Sequence, residues 1–133
     1  MSVNPTNRPL SPHLQVWKWT LTMAMSILHR ASGVALAMGL LMLVWMLVAA
    51  ASGQETYQFF LWFASSIFGQ LLLFGWTGAV YYHLCSGIRH LLMDAGYLMT
   101  IPQAEKAGKI IFIVSIAMTL ATWGVIKLSS GEM

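Results

Sequence analysis

The sequence predicts an all-α membrane protein with three transmembrane helices, and two observations carry that prediction. The first is composition, because 58% of the 133 residues are hydrophobic and 8% are charged, whereas soluble domains are about 45–50% apolar and about 25% charged. The second is the presence of three apolar segments that meet the requirement of roughly 20 residues for crossing the hydrocarbon core. We therefore expect a single transmembrane domain over 1–133, in which 1–20 precede the first helix.

The apolar runs place each helix in turn. The first is predicted at 23–51, where the strictly apolar part follows Arg30 and ends at turn residues 52–55. The second is predicted at 57–95, with an apolar part that reaches Ile88, and the third at 105–128. All three are too uniformly apolar for helices with one solvated face, so we expect them to lie in lipid or against other membrane helices.

Basic residues predict the orientation, since Lys and Arg in short flanking segments stay on the cytoplasmic or matrix side. Most of them lie before the apolar part of the first helix or between the apolar parts of the second and third: Arg8, Lys18, Arg30, Arg89, Lys106 and Lys109. The connection between the first two helices contains Glu55 and no basic residue. We therefore expect the amino terminus inside. Lys127 departs from this pattern, but a lysine at a helix end can extend its side chain to the membrane surface and carries little weight for the orientation.

The same features limit partners and location. The net charge of +3 forms no basic stripe that could follow phosphates, so no nucleic acid is expected as a partner. The first twenty residues contain neither the apolar region of a secretory signal nor an Arg-rich amphipathic presequence. The sequence thus favours a bacterial inner (plasma) membrane over the mitochondrial inner membrane.

Polar residues cluster at the predicted inner ends of the first two helices. They are Ser26, His29, Arg30 and Ser32 on the first helix, and His83, Ser86, Arg89, His90 and Asp94 on the second. Ionisable groups at membrane depth are costly and usually face the bundle interior or line a ligand pathway. Because the two inner ends lie at similar depth, the sequence predicts a shared site there.

His83 is the first candidate ligand, since it lies about five residues, or roughly 7 Å, inside the apolar part of its helix. A neutral imidazole binds haem iron through one nitrogen while the other donates to a neighbour. Residue type alone fits a polar helix contact equally well. His90 is about 10 Å farther along the axis, so the two rings cannot flank one iron, and a second ligand is expected from another helix. His29, beside Arg30, fits a hydrogen bond to a haem propionate.

Ser26 and Arg30 lie one helical turn apart, so that their side chains can reach one small polar group. The planar guanidinium suits a haem propionate or a quinone carbonyl. The residues themselves leave alternatives open, which are a topology anchor for Arg30 and helix packing for Ser26. Arg89 either binds a propionate or, together with Asp94, caps its helix and holds topology.

Three motifs occur in order, each at the expected end of a helix. They are RPLSPHL at 8–14, SILHRASG at 26–33, and His83 followed by GIRHL at 87–91 and Asp94. With these motifs the sequence closely resembles the cytochrome b subunit family of succinate dehydrogenase, respiratory complex II. The resemblance implies that His83 is an axial ligand of haem b and that a histidine of a second, smaller anchor subunit supplies the other. It also implies that Ser26 and Arg30 line the ubiquinone site, with His29 and Arg30 near the haem propionates.

The resemblance further implies a subunit of succinate:quinone oxidoreductase, an enzyme of electron transport and the tricarboxylic acid cycle. Such a subunit anchors the flavoprotein and iron–sulfur subunits and passes electrons from the latter to ubiquinone. The chain has one cysteine, Cys85, and no dinucleotide-binding glycine motif, so flavin and clusters are expected in the partners. Alternatives are the anchor of a quinol:fumarate reductase and a haem-free structural anchor. A transporter subunit is disfavoured, because acidic residues are missing within the apolar parts of the predicted helices.

Overall fold

The computed structural model describes residues 17–131, which form four α-helices. They are α1 Leu21–Ser52, α2 Gln54–Ser65, α3 Ile67–Asp94 and α4 Ile101–Ser129. Helices α1, α3 and α4 are each long and apolar enough to cross a membrane, which confirms the prediction of an all-α protein with three transmembrane helices. Most of the predicted segment 1–20, including Arg8 and the motif at 8–14, lies outside the described residues.

Helix α1 has a capped start and a glycine at its end. The side chain of Thr20 accepts a hydrogen bond from the backbone N–H of Met23 at 3.4 Å, which satisfies one of the free donors of the first turn. At the other end Gly53 has φ +118°, a conformation that L side chains rarely adopt. The glycine thus lets the chain reverse directly from α1 into α2.

The structure divides the continuous helix predicted at 57–95 into α2 and α3. Ser66 is extended between them, with ψ 155°, and its hydroxyl accepts from the backbone N–H of Gly69 at 3.1 Å. A Cβ at Gly69 would overlap the backbone of Phe63 and Ala64, so glycine permits this sharp bend. Helix α2 is about 18 Å long at 1.5 Å per residue, too short to cross the bilayer, and it packs its Phe60 against Trp45 at the end of α1, with ring centroids 5.0 Å apart.

The short connection from α3 to α4 brings the end of α3 and the start of α4 together. Gly96, with φ +86°, donates its N–H to the carbonyl of Met93 at 2.9 Å, as left-handed glycines after helices commonly do. Helix α4 begins at Ile101, earlier than the predicted 105, because Thr100 caps it and donates its backbone N–H to Gln103 Oε1 at 3.5 Å.

The three long helices meet in a small core in the half of the bundle that contains the start of α1. Met25 of α1, Tyr82 of α3 and Ile111 of α4 are buried against one another. The Tyr82 hydroxyl donates to the carbonyl of Met25 at 3.1 Å, which ties α3 to the backbone of α1. A Cβ at Gly108 would collide with the Met25 side chain, so the glycine allows α4 to approach α1. This core fixes the depth at which α1 and α3 present their polar residues to each other.

Candidate functional site

The His83 imidazole of α3 lies against the backbone of α1. Its Nδ1 is 3.2 Å from the carbonyl oxygen of His29 and 3.0 Å from Ser32 Oγ. A carbonyl oxygen can only accept a hydrogen bond, so Nδ1 carries the hydrogen. In the neutral ring this leaves the lone pair on Nε2, which is the nitrogen available to bind a metal.

Two neighbours on α1 make room for the ring and hold it. Ser32 is buried, and its hydroxyl donates to the carbonyl of His29 at 2.8 Å, a back-bond that serine commonly forms within a helix. At Gly33 a Cβ would lie 3.2 Å from His83 Cε1, closer than side chains normally pack. Glycine therefore lets the imidazole lie directly over the α1 backbone.

The histidines of the site form a stack of rings. The His29 ring is parallel to that of His83, with centroids 4.1 Å apart and an interplanar angle of 10°. The His90 ring has its centroid 4.7 Å from that of His29 and is tilted by 52° against it. Within residues 17–131, no three His, Cys, Asp or Glu side chains are arranged to hold a metal ion by themselves. His29 Nδ1 is buried and has no hydrogen-bond partner in the described part of the chain.

Ser26 and Arg30, one helical turn apart on α1, form a hydrogen-bonded pair. The Arg30 guanidinium donates from Nη2 to Ser26 Oγ at 3.1 Å. Ser26 therefore accepts from Arg30, and its own hydrogen finds no acceptor within residues 17–131. Ser32 differs, because its hydroxyl hydrogen is engaged by a backbone carbonyl. The pair thus presents a free O–H donor and an exposed positive charge on one surface.

Arg89 lies on a neighbouring face of α3. It shares the helical face of Tyr82 and Ser86, at spacings of seven and three residues, whereas His83 and His90 share another. Arg89 is 6% exposed and its Nε has no partner among residues 17–131. The structure thus brings together His29, His83 and His90, pairs Ser26 with Arg30, and sets Arg89 apart on the face that packs toward the core.

Sequence reasoning missed Ser32 and Gly33 as partners of His83. Both stand in the motif at 26–33, and Ser32 follows His29 by three residues, the spacing at which a hydroxyl reaches a carbonyl of its own helix. Which face of α1 meets His83 depends on how α1 and α3 pack, which this spacing does not reveal. At Gly87, one turn after His83, α3 has an open side, since a Cβ there would meet nothing within 4 Å.

Comparison with known proteins decides the family. A family model described as succinate dehydrogenase/fumarate reductase transmembrane subunit matches residues 4–122. The chain belongs to this family. The predicted resemblance to succinate dehydrogenase cytochrome b subunits is thereby confirmed.

Relatives within the family come from bacteria and mitochondria. The succinate dehydrogenase cytochrome b556 subunit of Paracoccus denitrificans is 40% identical over 120 residues, 90% of this chain and 92% of the relative. That of Rickettsia felis is 36% identical over 87% of this chain and 90% of its own. The mitochondrial cytochrome b560 subunit of Sus scrofa is 36% identical over 84% of this chain and 67% of its own. The family therefore includes both bacterial and mitochondrial subunits.

Proposed function

We propose that this chain is the haem b- and ubiquinone-binding membrane anchor of a succinate dehydrogenase. In this role it passes electrons from the iron–sulfur subunit to ubiquinone. The observation that carries the proposal is the hydrogen bonding of His83, whose Nδ1 faces the His29 carbonyl and whose Nε2 keeps its lone pair. The relatives named cytochrome b556 and b560 support it.

The residues around His83 fit a haem group. Gly33 admits the imidazole to the α1 backbone, and the position of Gly87 opens the adjoining turn of α3. The unpartnered Nδ1 of His29 and the exposed guanidinium of Arg30 suit the two propionates, with His90 as a further polar neighbour. Haem, when bound, supplies a one-electron carrier within the membrane. His83 would hold the haem iron through Nε2, together with a histidine of the second anchor subunit.

Ser26 and Arg30 serve the quinone. The Ser26 hydroxyl, oriented by the hydrogen bond that it accepts from Arg30, donates to a carbonyl oxygen of ubiquinone. The permanently charged guanidinium stabilises the negative charge that develops on that oxygen as the ring is reduced. Both groups are in place before reaction, so their reorganisation costs little.

The assembly follows from the same distribution of residues. The inner ends of α1, α3 and α4 face the cytoplasm of a bacterium, where the iron–sulfur and flavoprotein subunits bind. This orientation follows the distribution of basic residues, which at these ends are Lys18, Arg30, Arg89, Lys106 and Lys109. The anchor of a quinol:fumarate reductase is a second candidate, because the matched family covers both enzymes. The three relatives compared above all carry the succinate dehydrogenase name.

The haem assignment is tested by the visible spectrum of the purified complex. We expect His83→Ala to abolish the reduced b-type bands while the four subunits still copurify. Tyr81→Phe, on the same helix but with its hydroxyl bonded to Thr122 of α4, is the matched control and should retain the bands. Intact bands in His83→Ala would refute the ligand assignment, and a complex that assembles normally without haem in the unaltered protein would support a structural anchor.

The quinone assignment is tested by comparing two electron acceptors. We expect Ser26→Ala and Arg30→Leu to lower ubiquinone reduction by about ten-fold or more, because a hydrogen bond to a charged group contributes about 1.5–3 kcal/mol. Succinate oxidation by an artificial soluble acceptor should change little. Equal losses with both acceptors would indicate misassembly and contradict the assignment.

A further inference from the structure

We propose that Ser32 is a positioning residue for His83. Its buried hydroxyl holds the imidazole in one orientation and, through the hydrogen bond to Nδ1, sets how strongly Nε2 holds haem iron. The inference rests on the proposed function, since it concerns the ligand that His83 supplies, but it assigns to Ser32 a role that the resemblance to the family did not imply.

The contacts of Ser32 have a defined direction. Its hydroxyl hydrogen is donated to the carbonyl of His29 at 2.8 Å, so Oγ presents a lone pair to His83 Nδ1, 3.0 Å away. The N–H of His83 thus faces two acceptors, this hydroxyl oxygen and the carbonyl oxygen at 3.2 Å. Both acceptors belong to the same turn of α1, and Gly33 in that turn leaves no side chain to push the ring away.

The opposite tautomer is unfavourable in this arrangement. It would place a lone pair of Nδ1 against the lone pairs of the His29 carbonyl, and it would put the hydrogen on Nε2. For Ser32 to donate to Nδ1 instead, its hydroxyl would have to leave the His29 carbonyl to which it is bonded. The turn therefore favours the tautomer whose Nε2 carries the lone pair and can bind a metal.

The hydrogen bond also affects the ligand electronically. An imidazole whose N–H donates to an acceptor is a more basic ligand, and loss of such a partner commonly weakens metal binding 10–100-fold. A more basic ligand stabilises ferric over ferrous iron, because the ferric ion carries the larger positive charge. Removal of the Ser32 hydroxyl is therefore expected to shift the haem midpoint potential to more positive values and to speed haem loss, although His83 is still present.

The test uses two substitutions of the same shape in the intact purified complex. Ser32→Thr keeps a hydroxyl, which threonine also bonds to a carbonyl of the preceding turn, whereas Ser32→Val replaces that hydroxyl with a methyl group. We expect Ser32→Thr to retain the midpoint potential and the haem-to-flavin ratio of the unaltered complex. Ser32→Val should show the positive shift, and its transfer of haem to excess apomyoglobin should be about ten-fold faster or more.

Ser115→Val is the matched control. Ser115 is also a buried helix serine, 4% exposed, that donates to a carbonyl of its own helix, that of Ile111. Its recorded bonds run to backbone carbonyls and to no histidine. We expect its substitution to leave the potential and the rate of haem transfer unchanged.

Each outcome decides the proposal. Equal effects of Ser32→Thr and Ser32→Val on the midpoint potential would assign the shift to packing and overturn the proposal. An unchanged potential in Ser32→Val would also overturn it, provided that His83→Ala has lost the haem. Retained bands in His83→Ala would instead overturn the proposed function. If Ser32→Val does not assemble, Ser32→Ala, which adds no atoms, replaces it in the comparison. Failure of both to assemble, with Ser115→Val intact, would make Ser32 a folding residue and overturn the positioning role.

Discussion

Helices α1 and α3 approach each other closely at two places, and in both a glycine of α1 lies under an aromatic ring of α3. At the first, Gly33 faces the His83 imidazole, and at the second, about 9 Å farther along α1, Gly39 faces the Trp76 indole. The helix geometry is therefore repeated. The surroundings of the ring nitrogens are not, because His83 Nδ1 has two acceptors whereas Trp76 Nε1 is buried without a partner in the described chain.

The difference separates packing from chemistry. Around Gly39 and Trp76 the lining is apolar and includes Ala35, Met42 and Leu72, so this contact mainly holds α1 against α3. Around Gly33 and His83, Ser32 Oγ and the carbonyl oxygen of His29 both lie within hydrogen-bond distance of the imidazole Nδ1. Burying a polar group costs free energy unless the group is hydrogen-bonded. Of the two ring nitrogens, His83 Nδ1 is hydrogen-bonded, and His83 is the residue that we expect to bind a metal.

The largest expected effect comes from Gly39→Ala, which tests the packing contact. The added Cβ would overlap the Trp76 indole, so the helices must separate or the ring must turn, and overpacking of this kind costs about 1–3 kcal/mol. We expect a lower melting temperature of the purified complex. Gly124→Ala, where a Cβ meets nothing within 4 Å, serves as the control.

A double variant sharpens this prediction. If the clash with Trp76 is the cause, Gly39→Ala combined with Trp76→Leu should recover most of the lost stability, since residues in contact do not act additively. Losses that simply add would show that Gly39 acts elsewhere, for example against another subunit.

A smaller effect is expected for Gly33→Ala, and it should appear in the haem rather than in the melting temperature. The new Cβ would lie 3.2 Å from His83 Cε1, so the ring has to move by a few tenths of an ångström and its bonds to Ser32 and His29 lengthen. We expect the midpoint potential to shift positive, as for Ser32→Val, with stability close to that of Gly124→Ala. A large fall in melting temperature with an unchanged midpoint potential would show that Gly33, like Gly39, mainly serves to pack α1 against α3.

The sequence predicted the parts of this architecture that depend on composition and residue type. Long apolar runs located α1 and α4 to within a few residues, since length and hydropathy alone govern membrane crossing. The bend at Ser66 escaped prediction because the segments on both sides are apolar, and it depends on the close approach of Gly69 to the preceding turn. His83 and His29 were identifiable as polar groups in an apolar setting, whereas Ser32 gains its role from the packing of α1 on α3.

The smallest effect is expected for Trp76→Phe, and it asks whether the unpartnered indole matters. Phenylalanine keeps most of the aromatic contact over Gly39 but removes the N–H. A buried donor without a partner costs about 1–3 kcal/mol, so its removal offsets the destabilisation caused by the lost packed volume. We expect the melting temperature of the complex to be nearly unchanged. A clear fall, comparable to that of Gly39→Ala, would mean that Nε1 has an acceptor in the assembled complex, supplied by a neighbouring subunit. In that case Trp76 Nε1, like His83 Nδ1, would be hydrogen-bonded, and the contrast between the two rings would disappear.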